Sequence, residues 1–375
     1  MKRYLYPQIL KDLKKKAVFV TGPRQIGKTF LAKQILQEYQ HPQYLNYDAI
    51  DDRRIIRDQS WPLKTDLLVF DEIHKMKNWK NYIKGVYDTK SENQHVLITG
   101  SARLDTYRQT GESLAGRYYH LRLMPVSVKE AAQFGHPYDI IERINRLGGF
   151  PEPFLSDAEE ETARWRNQYY TDLIREDILE FSRIHEINEM KTLLELLRYR
   201  TGSPVSYRSL AEDLHIAPNT VKKYIRILES LYIIFLISPY HRNIARSIQK
   251  EAKLYFFDTG LVQEDEDQRF ENTCAVCLLK HTFYLQDVKG RDVQLQYIRI
   301  KEGKEIDFVL IENQTPAQLI EVKLSDNRVS KTLIGFSKKL PQAQPVQLVH
   351  NLRKEENIQG IDILKAGEWL AGLKA

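Results

Sequence analysis

The segment from residue 17 to residue 39 constrains the fold of this chain more than any other. A short apolar run, AVFVT (17–21), leads into GPRQIGKT (22–29), and FLAKQILQEY (30–39) follows with helical periodicity. Strand, G-x-x-x-x-G-K-T and helix in this order are the context of a phosphate-binding loop, because glycine lets successive backbone N–H groups face the phosphates. The sequence therefore predicts a nucleotide site formed by the loop and the residue after it: Gly22, Pro23, Arg24, Gln25, Ile26, Gly27, Lys28, Thr29 and Phe30.

Polar side chains with complementary roles occur in the loop and after two later strands. Lys28 is expected to reach the β- and γ-phosphates of ATP, and the Thr29 hydroxyl to be a ligand of Mg²⁺. The run LLVFDE (67–72) ends in Asp71 and Glu72. Asp71 is expected to hold the Mg²⁺ through water, and Glu72 to orient the attacking water, which favours hydrolysis. The run HVLITGS (95–101) adds Thr99 and Ser101, which we expect to contact the nucleotide between the other two strand ends.

The middle of the chain has the outline of a helix-turn-helix. A helix over SPVSYRSLAEDLHI (203–216), capped by Ser206, is predicted to be joined through APN (217–219) to a second helix beginning at TVKKYIRILESLY (220–232). We expect IIFLIS (233–238) to form a wing. The apolar positions of the second helix, Val221, Ile225 and Leu228, are predicted to form a core. Its exposed positions are basic, and we expect them to contact DNA: Lys222, Lys223 and Arg226.

An acidic stretch before this pair, from residue 157 to residue 181, has two interpretations. It can be a helical lid that closes over a nucleotide with Arg175 turned inward, or an ordinary packing helix with charge pairs at i,i+4. The boundary GGFPEPFL (148–155) precedes it and is rich in glycine and proline, which interrupt regular structure.

Two carboxylates are predicted to converge in the last third of the chain. In the strands EIDFVLI (305–311) and LIEVK (319–323), Asp307 lies on the polar face of the first, and Glu321 shares a face with Lys323 on the second. If the strands pair, the two carboxylates can bind one Mg²⁺, which activates a water, while Lys323 stabilises the developing charge.

The motifs of the first third resemble the AAA-type ATPases, in particular a bacterial and archaeal group that reads GPRQxGKT, FDEIH, TGSxR and SLAGR. These stand here as GPRQIGKT (22–29), FDEIH (70–74), TGSAR (99–103) and SLAGR (113–117). The resemblance implies an α/β fold with five parallel strands and a nucleotide held between the subunits of a homo-oligomer, for which a ring is one arrangement. It also implies an arginine finger, for which Arg117 is the first candidate and Arg103 the second.

The pattern Asp307, thirteen residues, Glu321, one residue, Lys323 resembles the PD-(D/E)XK nuclease superfamily. Glu271 matches that fold's additional acidic metal ligand, whereas Ile306 stands where the pattern has proline. The region also resembles a domain of uncharacterised function attached to the ATPases named above, through YFFDTGL (255–261) and IEVKLS (320–325). The sequence thus predicts three domains. They are an AAA-type ATPase core over 1–150, a helical lid with a winged-helix segment over 151–250, and a PD-(D/E)XK nuclease-like α/β domain over 251–375.

Charge and apolar patterning narrow the partners. The chain has 375 residues and a net charge of +6, distributed as +9 over 1–150, −5 over 151–200, +4 over 201–250 and −2 over 251–375. The two segments with a basic surplus, 1–150 and 201–250, are suited to bind a polyanion. The longest apolar run, from Leu231 to Ile237, is far shorter than the ~20 residues of a membrane span, and the amino terminus does not read as a signal peptide. We therefore expect a cytoplasmic protein with no membrane partner.

The two cysteines, Cys274 and Cys277, form a C-x-x-C with His281 four residues on. Their apolar neighbours favour buried structural cysteines over zinc or redox chemistry.

Three functions are compatible with these features. The first is an ATP-hydrolysing ATPase that remodels, moves or processes DNA, with or without metal-dependent cleavage by the last domain. The second is a nucleotide-switched DNA-binding regulator whose nuclease-like domain is inert. The third is an ATPase that acts on a protein client, in which case reversing the charges of Lys222 and Lys223 has no effect.

Overall fold

The computed structural model describes residues 1–100, 114–179, 184–241, 251–263, 265–300, 303–325 and 328–375. These residues form two compact units, Met1–Met124 and Pro125–Ala375. The predicted boundary near residue 150 lies inside the second unit, where the Val126 N–H donates to the Gly149 carbonyl at 2.7 Å. The compact units thus divide after Met124, and the three functional domains remain a prediction.

The first unit is built on a five-stranded parallel sheet in the order β2-β3-β4-β1-β5. Its strands are β1 (Ala17–Thr21), β2 (Pro42–Asn46), β3 (Leu67–Asp71), β4 (His95–Thr99) and β5 (Tyr118–Arg122). Its helices are α1 (Tyr6–Leu13), α2 (Lys28–Leu36), α3 (Ile50–Asp58) and α4 (Trp79–Thr89). Every residue of β1 and β3 is buried, which explains why both read as continuous apolar runs without alternation.

This strand order confirms the arrangement of polar strand ends expected from the sequence. Strand β4 lies between β1 and β3, so Thr99 ends next to both the loop after Thr21 and the Asp71 carboxylate. The carboxyl ends of parallel strands meet at one edge of a sheet, where ligands of open α/β folds bind.

The second unit begins with helices. They are α5 (Val128–Ala131), α6 (Pro137–Leu147), α7 (Pro151–Ser156), α8 (Glu159–Leu179), α9 (Ile184–Arg198), α10 (Tyr207–Leu214) and α11 (Pro218–Ser230). The predicted helix pair is present, and Ser206 caps α10 by accepting a hydrogen bond from the Ser209 N–H at 3.4 Å. However, α11 begins at Pro218, two residues earlier than predicted. Proline lacks an N–H and is well suited to the first turn of a helix, so Pro218 and Asn219 belong to the helix and not to the turn.

Two short strands follow the helix pair and form an antiparallel ribbon, β6 (Ile234–Ile237) and β7 (Lys253–Phe256). The backbone of residues 202–205 runs along the other edge of β7: the Gly202 N–H donates to Leu254 O at 2.8 Å, and the Val205 N–H to Ala252 O at 2.9 Å. The segment thus has the element order helix, short strand-like segment, helix, helix, strand, strand.

The carboxyl-terminal part contains a mixed six-stranded sheet in the order β12-β13-β11-β10-β9-β8. Its strands are β8 (Val293–Arg299), β9 (Glu305–Glu312), β10 (Thr315–Lys323), β11 (Gln344–Val349), β12 (Glu356–Ile358) and β13 (Ile361–Lys365). Its helices are α12 (Glu266–Lys289), α13 (Lys331–Lys339) and α14 (Ala366–Ala371). Helix α12 begins at Glu266, four residues before the FEN segment at which the sequence placed its start, because Asp265 caps it.

Two further expectations can be compared with this fold. The Arg175 side chain on α8 is exposed, so it is not turned inward in this structure, and both interpretations of the stretch remain predictions. Among the described helices, none is long and apolar enough to cross a bilayer.

Candidate functional site

The loop between β1 and α2 has a backbone that only particular residues allow. Gly22 has φ 148°, and a Cβ there would lie 2.2 Å from the Leu123 carbonyl oxygen. Gly27, at the start of α2, has φ 91°, which a side chain rarely tolerates. Ile26 between them is fully buried. The predicted glycine spacing therefore corresponds to a real steric requirement, and the loop leads into the amino terminus of α2 as expected.

A buried arginine that the sequence did not single out fixes this loop from outside the motif. The Arg3 guanidinium, 3% exposed, donates to the carbonyl of Ile26 and, at 2.5 Å, to that of Met124. Its place near the amino terminus, remote from the motif in sequence, gave no signal of this contact.

Lys28 and Thr29 lie where the motif predicts. The Lys28 ammonium is buried inside the loop and donates to the carbonyls of Gly22 at 3.0 Å and Pro23 at 2.6 Å. The Thr29 hydroxyl donates to Asp71 Oδ2 at 2.8 Å. The structure thus brings the loop lysine, the loop hydroxyl and the strand-end aspartate together at one edge of the sheet.

The Asp71 carboxylate is held by three hydroxyl groups. Besides Thr29, the Thr99 hydroxyl donates to Oδ1 at 2.6 Å and the Tyr44 hydroxyl donates to Oδ2 at 2.6 Å. Thr99 was expected near this site, whereas Tyr44 on β2 was missed. Tyrosine is common in strands for packing reasons alone, so nothing in its local sequence marks it. Both oxygens of Asp71 are therefore oriented by neighbours outside the phosphate loop.

Glu72 lies directly after β3 in a left-handed backbone conformation with φ 55°. Its N–H donates to the Thr99 carbonyl at 3.0 Å, which ties the turn to β4. Burial raises the pKa of the Glu72 carboxyl, and this effect exceeds the lowering by Lys28. His74 Nε2 lies 3.6 Å from Glu72 Oε2. A partly buried carboxylate with a raised pKa beside a metal-type aspartate is suited to accept a proton from water.

The Tyr44 hydroxyl gives a first testable prediction. A Mg²⁺ bound by Thr29 would draw its hydroxyl away from Asp71, leaving Tyr44 and Thr99 to orient the carboxylate. Tyr44→Phe is therefore expected to raise the Mg²⁺ concentration for half-maximal ATP turnover by about tenfold, the value of one hydrogen bond to a charged group. Tyr39→Phe is the matched control, because it removes a hydroxyl that contacts His95 instead. An unchanged Mg²⁺ requirement in Tyr44→Phe would contradict this role.

Of the two candidates for an arginine finger, Arg117 is among the described residues and Arg103 is not. Arg117 precedes β5, and its carbonyl accepts from the Ala17 N–H at 3.1 Å, so it lies at the amino ends of β1 and β5. Its guanidinium makes a two-pronged ion pair with Asp88, with distances of 2.7 and 3.1 Å. Ser101 and Arg103 lie outside the described residues, as do Arg242 and Arg246 beyond the predicted wing.

The second helix of the pair, α11, presents the two faces that its sequence predicts. Val221, Tyr224, Ile225 and Leu228 are buried, which confirms the predicted core positions. The three predicted DNA-contacting side chains are all exposed on the opposite side: Lys222, Lys223 and Arg226.

In the carboxyl-terminal sheet, Asp307 and Glu321 lie on paired strands as predicted. Strands β9 and β10 pair antiparallel with Phe308 opposite Ile320, and continuing this register places Asp307 opposite Glu321. The Val322 N–H donates to Asp307 Oδ2 at 2.9 Å, and Lys323 Nζ lies 3.0 Å from Glu321 Oε1. The predicted convergence of these side chains is therefore present.

Glu271 joins this group, but with a lysine between the carboxylates. Lys253 Nζ on β7 lies 3.2 Å from Glu271 Oε1, 2.5 Å from Glu305 Oε1 and 3.8 Å from Asp307 Oδ1. Within the described ranges, no group of three or more His, Cys, Asp or Glu side chains is arranged to hold a metal ion. The sequence predicted that three carboxylates share one cation: Glu271, Asp307 and Glu321. It did not predict that Lys253 lies among them, because this lysine is in an apolar strand distant in sequence from Asp307 and Glu321.

Cys274 and Cys277 are both free and buried on α12, as predicted for structural cysteines. Burial raises the pKa of both thiols, which makes them poor nucleophiles. His281 Nδ1 accepts from the Lys374 N–H at 3.2 Å.

Three family profiles match successive parts of the chain. Residues 14–132 match the AAA domain family, residues 139–265 a domain of unknown function (DUF8612), and residues 267–369 another domain of unknown function (DUF4143). With the loop geometry and the sheet order, the first match supports an AAA-type P-loop ATPase domain over residues 14–132. The other two families carry no functional description, so the winged-helix and nuclease-like predictions remain predictions.

Two relatives that are similar to this chain bear the description of uncharacterized proteins. One from Mycobacterium tuberculosis is 26% identical over 247 residues, which are 65% of this chain and 55% of that protein. The matched region thus spans little more than half of the mycobacterial relative. One from Methanocaldococcus jannaschii is 23% identical over 359 residues, covering 85% of this chain and 80% of that protein.

Solved structures with partial similarity include two ATPases. The RuvB Holliday junction branch migration motor of Thermotoga maritima is 18% identical, with 62% of this chain and 88% of that chain covered and a TM-score of 0.31. The Walker-type ATPase of Pyrococcus abyssi is 14% identical, with 68% and 93% covered and a TM-score of 0.42.

Proposed function

We propose that this protein is an ATP-hydrolysing ATPase that acts on DNA. The observation that carries the ATPase part is the convergence of Lys28, Thr29 and Asp71 beside the partly buried carboxylate of Glu72. Lys28 and the loop N–H groups are placed to hold phosphates, and Glu72 is placed to take a proton from the attacking water.

Hydroxyl and carboxylate oxygens are the ligands that Mg²⁺ prefers, so Thr29 and Asp71 fit this ion. Bound there, Mg²⁺ would neutralise charge on the phosphates. Thr99 and Tyr44 would keep the Asp71 carboxylate in the orientation that this contact requires.

The proposal that DNA is the partner rests on α11. Its exposed basic face stands opposite a buried apolar face, and a two-stranded ribbon follows it, which is the element order of a winged helix. Lys222, Lys223 and Arg226 would contact phosphates or base edges of a duplex. We also propose a cytoplasmic location, because the two cysteines are free and buried and form no disulfide.

We further propose that Arg117 is an arginine finger that acts on a neighbouring copy. The phosphate loop follows the carboxyl end of β1, whereas Arg117 lies at the amino end, about 13 Å away along a five-residue strand. The Arg117 side chain cannot span that distance to a nucleotide bound at the phosphate loop of the same chain. Arg117 can therefore act as a finger only in a homo-oligomer, whether or not the oligomer closes into a ring.

Arg117→Ala is expected to lower ATP turnover of the assembled protein by about 10³-fold while leaving ATP binding intact, because a finger stabilises only the transition state. Mixing Arg117→Ala with Lys28→Ala should restore part of the activity, since one copy supplies the loop and the other the arginine. Asp88→Asn is the control that breaks the ion pair but keeps the arginine. A mixture as inactive as its components would refute a finger acting between copies.

For the carboxyl-terminal domain, we favour a holding role over cleavage. The Asp307, Glu321 and Lys323 arrangement matches the nuclease-like pattern, but Lys253 already neutralises part of its acidic charge. The test of the whole proposal is ATP turnover with single-stranded, duplex and branched DNA in Mg²⁺ or Mn²⁺, with the DNA analysed on a gel. We expect stimulated turnover and intact DNA; cutting that Asp307→Ala abolishes would instead establish a nuclease.

A further inference from the structure

A single buried lysine lies at the centre of the carboxylate group of the second unit. The Lys253 side chain is 1% exposed and lies within ion-pairing distance of Glu305 (2.5 Å), Glu271 (3.2 Å) and Asp307 (3.8 Å). Isolated buried charges are costly, so a lysine is tolerated here only because several carboxylates surround it. Three carboxylates at these distances stabilise the charged ammonium form against the cost of burial.

The carboxylates around Lys253 are linked further by hydrogen bonds. The Tyr255 hydroxyl, two residues along the same strand, donates to Glu271 Oε1 at 2.6 Å. Glu271 Oε1 therefore receives both the Lys253 ammonium and the Tyr255 hydroxyl. The resemblance made Glu271 a metal ligand, but one of its oxygens is already engaged by two donors from β7.

A second, independent observation concerns Glu321, on the strand that pairs with the strand of Asp307. Glu321 is 5% exposed, and its Oε2 atom has no hydrogen-bond partner among the described residues. A buried carboxylate oxygen without a donor beside a second carboxylate has unused capacity for a positive charge.

We propose that Lys253 is the resident cation of this cluster, whose ammonium takes the position that the nuclease resemblance assigns to a divalent metal ion. The domain as folded then gains part of its charge balance from its own chain and binds Mg²⁺ or Mn²⁺ more weakly than the carboxylates alone would. Removing the lysine charge creates a divalent cation site of oxygen ligands from Glu271, Asp307 and Glu321. This inference goes beyond the proposed ATPase activity and does not depend on ATP or DNA binding.

The backbone of β7 explains why the ammonium stays in place. On one edge, β7 pairs with β6, with Ile237 opposite Lys253. On the other edge, the Leu254 N–H donates to Ser203 O at 3.3 Å, and Pro204 bridges Lys253. Withdrawal of Lys253 by a backbone shift would break hydrogen bonds on both edges, so the lysine is held in the cluster as long as the ribbon is intact.

The experiment measures Mn²⁺ binding and thermal unfolding of the full chain without nucleotide. It uses an Asp71→Asn background, which weakens Mn²⁺ binding at the phosphate loop. In this background Lys253→Met is expected to bind one Mn²⁺ per chain at least about tenfold more tightly than the parent, because the competing positive charge is gone. Mn²⁺ should raise the melting temperature of Lys253→Met and leave that of the parent unchanged.

Lys280→Met is the matched control. Lys280 is fully buried and pairs with Glu130 at 2.6 Å, outside the cluster, and it also donates to the Pro125 carbonyl. Its loss should lower the melting temperature with no gain of Mn²⁺ binding. Equal Mn²⁺ affinity of the parent and Lys253→Met would overturn the proposal. If Lys253→Met does not fold with or without Mn²⁺, the double variant Lys253→Met, Glu305→Gln is used instead, because it keeps the net charge of the parent. Its Mn²⁺ affinity is then compared with that of the parent in the same way.

Discussion

Glu72→Gln is expected to lower ATP turnover by about 10²- to 10⁴-fold, the usual contribution of a positioned general base. Glutamine keeps the size of the side chain and cannot accept the proton of the attacking water. ATP binding, measured with a fluorescent analogue, should persist because Lys28 and the loop backbone are unchanged. The control is Glu92→Gln, which makes the same chemical change at an exposed position of the same unit.

The pH dependence of turnover tests the same residue. Burial raises the pKa of Glu72, and the active form is the deprotonated one. Turnover of the parent protein should therefore fall as the pH drops through this raised pKa, at a higher pH than an ordinary carboxyl would give. The residual turnover of Glu72→Gln should lack this acidic limb. A Glu72→Gln variant that keeps turnover within about threefold of the parent would exclude Glu72 as the base.

Reversing charge on α11 is expected to have the second large effect. Lys222→Glu with Lys223→Glu should weaken duplex DNA binding by about 100-fold at moderate salt, since phosphate contacts are lost and like charges approach the DNA. The slope of log affinity against log salt should fall by about 2, one unit for each lost contact. Fluorescence anisotropy over a salt series measures both quantities.

The carboxyl-terminal part supplies a charge-matched control for this experiment. Lys338→Glu with Lys339→Glu makes the same change at two exposed adjacent lysines on α13. If both double variants lose affinity equally, the effect reflects the overall charge and not α11. Because Lys222 and Lys223 are exposed, the free energy of unfolding should change little in either variant.

The features predicted well from the sequence are local ones. The glycine spacing of the loop, the acidic end of β3 and the capping Ser206 each depend on a few consecutive residues whose conformation limits the choice of side chain. The pairing of β9 and β10 was also within reach, because two alternating strands joined by a short turn pair with each other.

What the sequence could not predict are contacts from distant parts of the chain. Arg3 holds a loop more than twenty residues away, and Tyr44 contacts an aspartate on the neighbouring strand. Lys253 is the most consequential case, because a lysine in an apolar strand has no local partner and only the fold shows which carboxylates surround it. The face alternation of β9 and β10 identified the correct carboxylates but not the positive charge already among them.

The most direct test of the central claim is ATP turnover with and without duplex DNA, in the parent protein and in Lys222→Glu, Lys223→Glu. We expect DNA to stimulate the parent by at least about threefold, and the double variant to keep its basal turnover but lose the stimulation. A turnover rate that ignores single-stranded, duplex and branched DNA in the parent would contradict a DNA-directed ATPase and would leave a protein client as the function to pursue.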